Sequence, residues 1–208
     1  MDEQQEQKPV LRLASASPRR RQLLELIGVA HVVTPADIDE TPQAGEPPDE
    51  YVLRLAREKA EAVWALHTDL PVLAADTTVV IDDEILGKPE SEAEAHSMLG
   101  KLSGRDHMVH TAVALWSGEH QMLFHTSTQV CFAALSSDEI HAYWETGEPR
   151  GKAGAYAIQG LGAAFVTGIS GTYTGVMGLP LFETAHLLRQ AGIPVWGGRL
   201  PRRAEVTE

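Results

Sequence analysis

The stretch LRLASASPRRRQLLELIG, Leu11 to Gly28, commits the chain to an architecture in which a strand feeds directly into a helix. Leu11 to Ala14 reads as the end of a strand. Ser17 suits a helix N-cap and Pro18 the first helical position, while Leu23, Leu24 and Ile27 form an apolar stripe that Gly28 stops. This places Arg19, Arg20 and Arg21 in the first turn. The free N–H groups there already carry partial positive charge and ordinarily attract Asp or Glu. A start built this way is favourable when an anion sits in front of it, where the dipole, the amides exposed by the small residues of SAS and the guanidinium groups all act together. The stretch is neither a P-loop nor a G-x-G-x-x-G, so it points to an anion site without naming the ligand.

Strands and helices interleave along the rest of the chain. Thr34 to Glu50 is a polar, proline-rich loop, long enough to suggest a functional role. A helix is expected from about Asp49 to Leu66, then two apolar strands, one through Ala75 and one from Val79 to near Asp82–Asp83. Ser91 with Glu94, and Ser136 with Glu139, have capping-box spacing ahead of two further helices, with strands expected at 107–116 and 121–133 between them. Residues 147–178 hold nine of the eighteen glycines and read as loops and turns, and a last helix is expected from Pro180 to Gln190. The fold class is therefore α/β in the mixed α+β sense. Residues 1–9 are expected to be an acidic disordered tail, 10–195 a single domain and 196–208 a flexible tail.

Charge and cysteine content narrow the function. The net charge of −12 argues against nucleic acid or an acidic membrane surface as a partner, because either would be repelled. Local basic clusters carry more meaning in such a chain. Cys131 is the single cysteine, so no internal disulfide forms. No apolar run approaches a membrane span, and the start MDEQQEQKP is acidic rather than signal-like, which leads to the expectation of a cytoplasmic protein.

Three further positions stand out. Lys59 occupies the apolar stripe of its helix, in line with Val52, Leu55, Ala56 and Val63, where an inward lysine needs an anion or a route to the edge. Asp76 interrupts the apolar run VLAAD with two threonines after it, at what reads as the carboxyl end of a strand, where open α/β sheets bind ligands. With Glu40 on the proline-rich loop it makes a pair of carboxylates able to carry Mg²⁺ or activate water. Lys88 follows a turn at Gly87 and adds a cation. His107 and His110, three apart on a strand, point to opposite faces and make a poor metal pair. Basic and acidic groups without a covalent nucleophile suggest phosphate chemistry by a metal-activated water.

The blocks LASASPRRRQLLELIGV, AADTTVVIDDEILGKP and KAGAYAIQGLGAAFV…ISGTYTGVMGLPL resemble the signature blocks of the Maf family of nucleoside triphosphate pyrophosphatases, in the family's order, from about Val10 to Ile193. The resemblance implies a Maf-like, ITPase-like mixed twisted sheet flanked by helices, with two lobes around a central cleft, often as a homodimer. It implies cleavage of a nucleoside triphosphate to monophosphate and pyrophosphate with a divalent cation, usually Mg²⁺ and alternatively Mn²⁺. It makes Asp76 the catalytic acid residue, and Arg19, Thr77 and Gln159 the positions that set substrate choice. Ser15, Arg20, Glu40, Lys59 and Lys88 match other cleft residues, Glu40 and Asp76 being the metal pair and the basic residues and Ser15 the phosphate contacts. The KAGAYAIQG form is similar to the branch acting on dTTP and UTP, and modified pyrimidine nucleotides are further candidate substrates. Gly151, Gly175 and Ala112 depart from the family's usual Asp, Asn and Gly. Two rival readings remain: a nucleotide-binding regulator of septum formation without turnover, and a phosphatase of nucleoside or sugar monophosphates.

Overall fold

A computed structural model describes residues 8–118 and 120–198. Among these residues seven strands form one mixed sheet in the order β2-β1-β3-β5-β6-β7, with β4 (Glu84–Leu86) paired to β3 beside that path. β1 (Leu11–Leu13) lies parallel to both β2 (His31–Val33) and β3 (Val72–Ile81). β5 (Asp106–Ser117) and β6 (His120–Phe132) run antiparallel to their neighbours, as does β7 (Val166–Ser170) at the far edge.

The first helix, α1 (Pro18–Leu26), starts where expected, with Ser17 as N-cap and Pro18 at the first position. α2 (Pro48–Trp64) and α6 (Leu181–Gln190) also match the expected helices to within two residues. At α3 (Glu92–Leu102) only half of the expected capping box forms: Ser91 accepts from the Glu94 amide, but Glu94 turns to the amide of Glu90. The box at α4 (Ser137–Glu145) is complete in both directions.

Two expectations are corrected. The two strands around Asp76 are one strand of ten residues, because Asp76, Thr77 and Thr78 all stay in register with Ala112, Thr111 and His110 of β5. The glycine-rich segment 147–178 contains β7 and a short helix α5 (Tyr173–Val176) as well as turns. Trp196 and Gly197, read from sequence as the start of the C-terminal tail, donate backbone bonds to Ile27 O and Gly28 O at the end of α1. The remaining tail positions, 1–7 and 199–208, lie outside the described residues.

The partners of β3 explain where a ligand can enter. On the edge opposite β5, β1 pairs with Val72 and Leu73, and β4 (Glu84–Leu86) pairs with Val79 to Ile81. β1 then leaves the sheet for α1, and β4 arrives through a two-residue turn at Asp82 and Asp83, both left-handed (φ 50° and 64°), as tight hairpins require. Between the two, Ala75 to Thr78 have no strand partner on that edge among the described residues. The sheet is split there.

Three apolar clusters hold this frame rigid. α1 and α6 pack on one face through Leu23, Leu24 and Leu188 against Leu73, Val113 and Leu115. α2 covers the opposite face, its Val52, Leu55 and Ala60 meeting Ala74, Ala112 and Ala114. The far ends of β3, β5 and β6 bury Val79, Val109 and Phe132 with α3 and α4. The long central strands thus span two lobes, with the open edge between them.

Candidate active site

A cleft of about 830 Å³ opens at the unpaired edge of β3. Strand alternation sends Asp76 and Thr77 to opposite faces of the sheet, yet both line the cleft because no neighbouring strand covers this edge. On one face, Lys59 from the apolar stripe of α2 donates from Nζ to Asp76 Oδ1 (2.7 Å) and to Glu40 Oε1 (2.7 Å). The inward lysine of the sequence therefore meets anions, and both are protein carboxylates.

Glu40 is held over this face by the proline-rich loop. Tyr51 of α2 donates its hydroxyl to Glu40 O (2.9 Å), and Arg54 grips Glu46 through two bonds of 2.6 and 2.8 Å. Burial alone would raise the Glu40 pKa, but the Lys59 hydrogen bond and the charges of Lys59, Lys88 and Arg20 bring it below the ordinary carboxylate value. Glu40 is thereby kept ionised.

On the other face, Arg20 is braced by three acceptors: Gly178 O (2.9 Å), Ser15 Oγ (3.2 Å) and Thr77 Oγ1 (3.2 Å). Thr111 on β5 shares a 3.0 Å hydrogen bond with Thr77 Oγ1 and donates to Gly175 O (2.8 Å). Arg19 donates to Met177 O (3.3 Å). Burial lowers the pKa of both arginines, and each lies near further positive charge. Ser17 makes no side-chain cap bond, and its own amide goes to Ser15 Oγ (3.2 Å). The amides of Arg19 and Arg20 have no protein acceptor among the described residues, and the first turn of α1 holds no acidic residue. Such a helix start is a ready anion site.

All nine sequence-derived candidates, Ser15, Arg19, Arg20, Glu40, Lys59, Asp76, Thr77, Lys88 and Gln159, line this one cleft. Arg21 does not. It faces solvent, pairs with Glu25 on its own helix (3.4 Å), and leaves only two of the three arginines for a ligand. Sequence reasoning missed Tyr51 and Lys152, which also line the cleft, and the bracing Thr111. Tyr51 looks like any apolar-stripe residue, whereas Lys152 opens the KAG block and was open to notice. Gly154 shows why that block bends where it does: its φ is 67°, and a Cβ there would stand 2.9 Å from Val79. Gly151, also left-handed at 68°, has open space around it, so its backbone conformation rather than crowding is what favours glycine there.

The histidines take structural roles. His107 bonds to Tyr156 Oη (2.8 Å), and His110 to His125 (2.9 Å). Among the described residues, no group of three or more His, Cys, Asp or Glu side chains is placed to hold a metal. Cys131 is half-exposed on β6.

The family model described as Maf-like protein matches residues 10–191. A protein of Methylobacillus flagellatus named dTTP/UTP pyrophosphatase is 57% identical over 187 residues, covering 89% of this chain and 94% of its own length. A protein of the same name from Myxococcus xanthus is 54% identical over 186 residues (89% and 94%), and another from Pseudoalteromonas atlantica is 50% identical over 188 residues (88% and 98%). Among solved structures, the Staphylococcus aureus Ham1 protein matches 59% of this chain and 71% of its own, at 18% identity and a TM-score of 0.44, a likeness too distant to add to the fold described above.

Proposed function

Because the chain belongs to the Maf family, we propose that it hydrolyses dTTP and UTP, and modified pyrimidine nucleotides of the same shape, to the monophosphate and pyrophosphate. The observation that carries this reading is the split edge of β3, where Asp76 stands in one cleft with five cationic side chains and the unpaired amides of α1. Relatives of the same name at 50–57% identity over most of the chain support it.

Enzymes that act on nucleoside triphosphates generally need a divalent cation. The donors present are hard oxygens of the kind a divalent cation takes: Glu40 and Asp76 each give one oxygen to Lys59 Nζ, which holds the two carboxylates side by side, and no third such ligand stands with them among the described residues. Mg²⁺ is typically held in this manner, by one or two carboxylates with water and substrate phosphates completing the shell. Glu40 and Asp76 would hold it, Mg²⁺ being the favoured ion and Mn²⁺ the alternative, and its chemistry there would be to acidify water and neutralise phosphate charge.

The protein's own groups divide the remaining work. Asp76 accepts the proton of the attacking water as its oxygen bonds to the α-phosphorus and the bond to the bridging oxygen of the pyrophosphate breaks. Lys59 fixes the Asp76 carboxylate at the open edge. Arg19, Arg20, Lys88 and the α1 amides stabilise the charge that gathers on the departing pyrophosphate, with Ser15 setting the turn ahead of them. Gln159 faces the base, where its carboxamide complements the N3–H and adjacent carbonyl of thymine or uracil, and Arg19 and Thr77 complete the selection.

A homodimer and a cytoplasmic location, supported by family membership and by the single cysteine, complete the proposal. No helix among the described residues is long and apolar enough to cross a membrane. The test is to incubate the protein with Mg²⁺ and each of dTTP, UTP, CTP, GTP and 7-methyl-GTP. Pyrophosphate and monophosphate should form chiefly from dTTP and UTP. Asp76→Asn should lose turnover by more than ~10²-fold while still binding nucleotide. Release of inorganic phosphate, or tight binding without turnover by the unaltered protein, would overturn the reading in favour of a phosphatase or a regulator.

A further inference from the structure

Glu148 and Tyr143 take no part in the chemistry above, yet both converge on the turn that carries Gln159. The turn Ala157–Gly160 is closed by the Gly160 amide donating to Ala157 O (3.1 Å), with Gln159 at its third position. At its entry, the Ala157 amide donates to Tyr143 Oη (3.2 Å). Past its exit, Leu161 N donates to Glu148 Oε2 (2.9 Å) and Gly162 N to Glu148 Oε1 (2.9 Å). Tyr143 donates its hydroxyl to Glu148 Oε1 (2.7 Å), which joins the two flanks.

The clasp is itself anchored. Tyr143 is buried on α4 with its ring edge-on to Phe165, the centroids 5.0 Å apart. Gly160 fits so closely over the Glu148 carboxylate that a Cβ there would overlap it. Gln159 differs from its surroundings: its side chain is exposed to the cleft and makes no hydrogen bond within the protein among the described residues. The place from which its carboxamide reaches out is therefore set by the backbone of the turn alone.

We propose that Tyr143 and Glu148 form a positioning device for base recognition, holding the Ala157–Gly160 turn so that Gln159 meets the pyrimidine edge without further ordering. The proposal rests on the reading of Gln159 given under the proposed function. A carboxylate that accepts two amides and a phenol makes charge-assisted bonds, stronger than neutral ones. A turn ordered before the nucleotide arrives spares the entropy of ordering it on binding. Neither clasp residue lines the cleft that holds Asp76, and the clasp reaches it only through the turn of Gln159, so its loss acts on KM more than on kcat.

The test is a double-mutant cycle on dTTP hydrolysis with Mg²⁺, using Tyr143→Phe and Gln159→Ala singly and together. Tyr143→Phe keeps the ring and deletes the hydroxyl. It should lower kcat/KM about tenfold, mainly through KM, and should have no further effect in the Gln159→Ala background. Glu148→Gln, of the same size, should give the same pattern and carries the comparison if Tyr143→Phe fails to fold; thermal midpoints identify that case. A Tyr143→Phe loss equally large with and without Gln159, a loss confined to kcat, or no loss where Gln159→Ala itself is damaging, would overturn the clasp and leave the reading of Gln159 standing. An undamaged Gln159→Ala enzyme would instead remove that reading, and the clasp's role with it.

Discussion

Lys59 Nζ lies 2.7 Å from Asp76 Oδ1, joining helix α2 to the middle of strand β3, with the two side chains only 9% and 10% exposed. Removing one partner of a pair so enclosed leaves a charge with little solvent to compensate it, which is costlier than losing a surface ion pair. The same ammonium also steers Glu40, so one lysine sets both carboxylates of the cleft.

Lys59→Met keeps the apolar stem and removes the cation. Stability should fall by about 3 kcal/mol and kcat/KM for dTTP by on the order of 10²-fold. Urea unfolding and steady-state kinetics read the two effects separately. A variant with wild-type kcat/KM would show that the ion pair has no bearing on catalysis.

Arg20 and Arg21 are adjacent in sequence and opposite in consequence. Arg20→Ala removes the brace shared by Ser15, Thr77 and Gly178 and should lower kcat/KM by on the order of 10²-fold. Arg21→Ala removes only an exposed pair with Glu25 and should leave kcat/KM within about twofold. Assayed side by side on dTTP, equal losses would contradict the orientation of α1 against the cleft.

His107 predicts an acid-sensitive fold. Burial lowers its pKa from the ordinary 6.5 to about 4, with Asp106 opposing the shift weakly. The folded state thus favours the neutral ring while the unfolded chain takes up a proton near 6.5, so this contribution is full above that pH. It is lost as pH falls from about 6.5 to about 4, to a total of at most about 3 kcal/mol. His110 and His125, also lowered by burial, add to the same slope, so the informative quantity is a difference. The unfolding free energy of His107→Phe should depend less on pH than that of the wild type across this window, whatever its absolute value. Parallel pH profiles would refute the assignment.

Local chemistry made much of the fold legible in advance. The Ser-Pro start and glycine stop of α1, the period of α2 that turned Lys59 inward, and the Ser136–Glu139 box all depend on residues within a turn or two of one another. The strand around Asp76 was misread because an aspartate with two threonines resembles a strand end. What kept it extended was nine-residue pairing with β5, whose partner residues lie 28 to 44 positions further on.

The sequence by itself determined which groups were available: a helix start crowded with arginines, a lysine on an apolar stripe, and carboxylates at 40 and 76. Tertiary structure alone decided which of them met. That Arg20 faces the cleft and Arg21 does not depends on how α1 is rotated against β1 and α6. The cleft itself exists because β1 leaves β3 before β4 joins it, and that gap is a property of pairing between distant segments. Helix caps and periods are encoded locally, whereas an unpaired strand edge is defined by what the rest of the chain leaves uncovered.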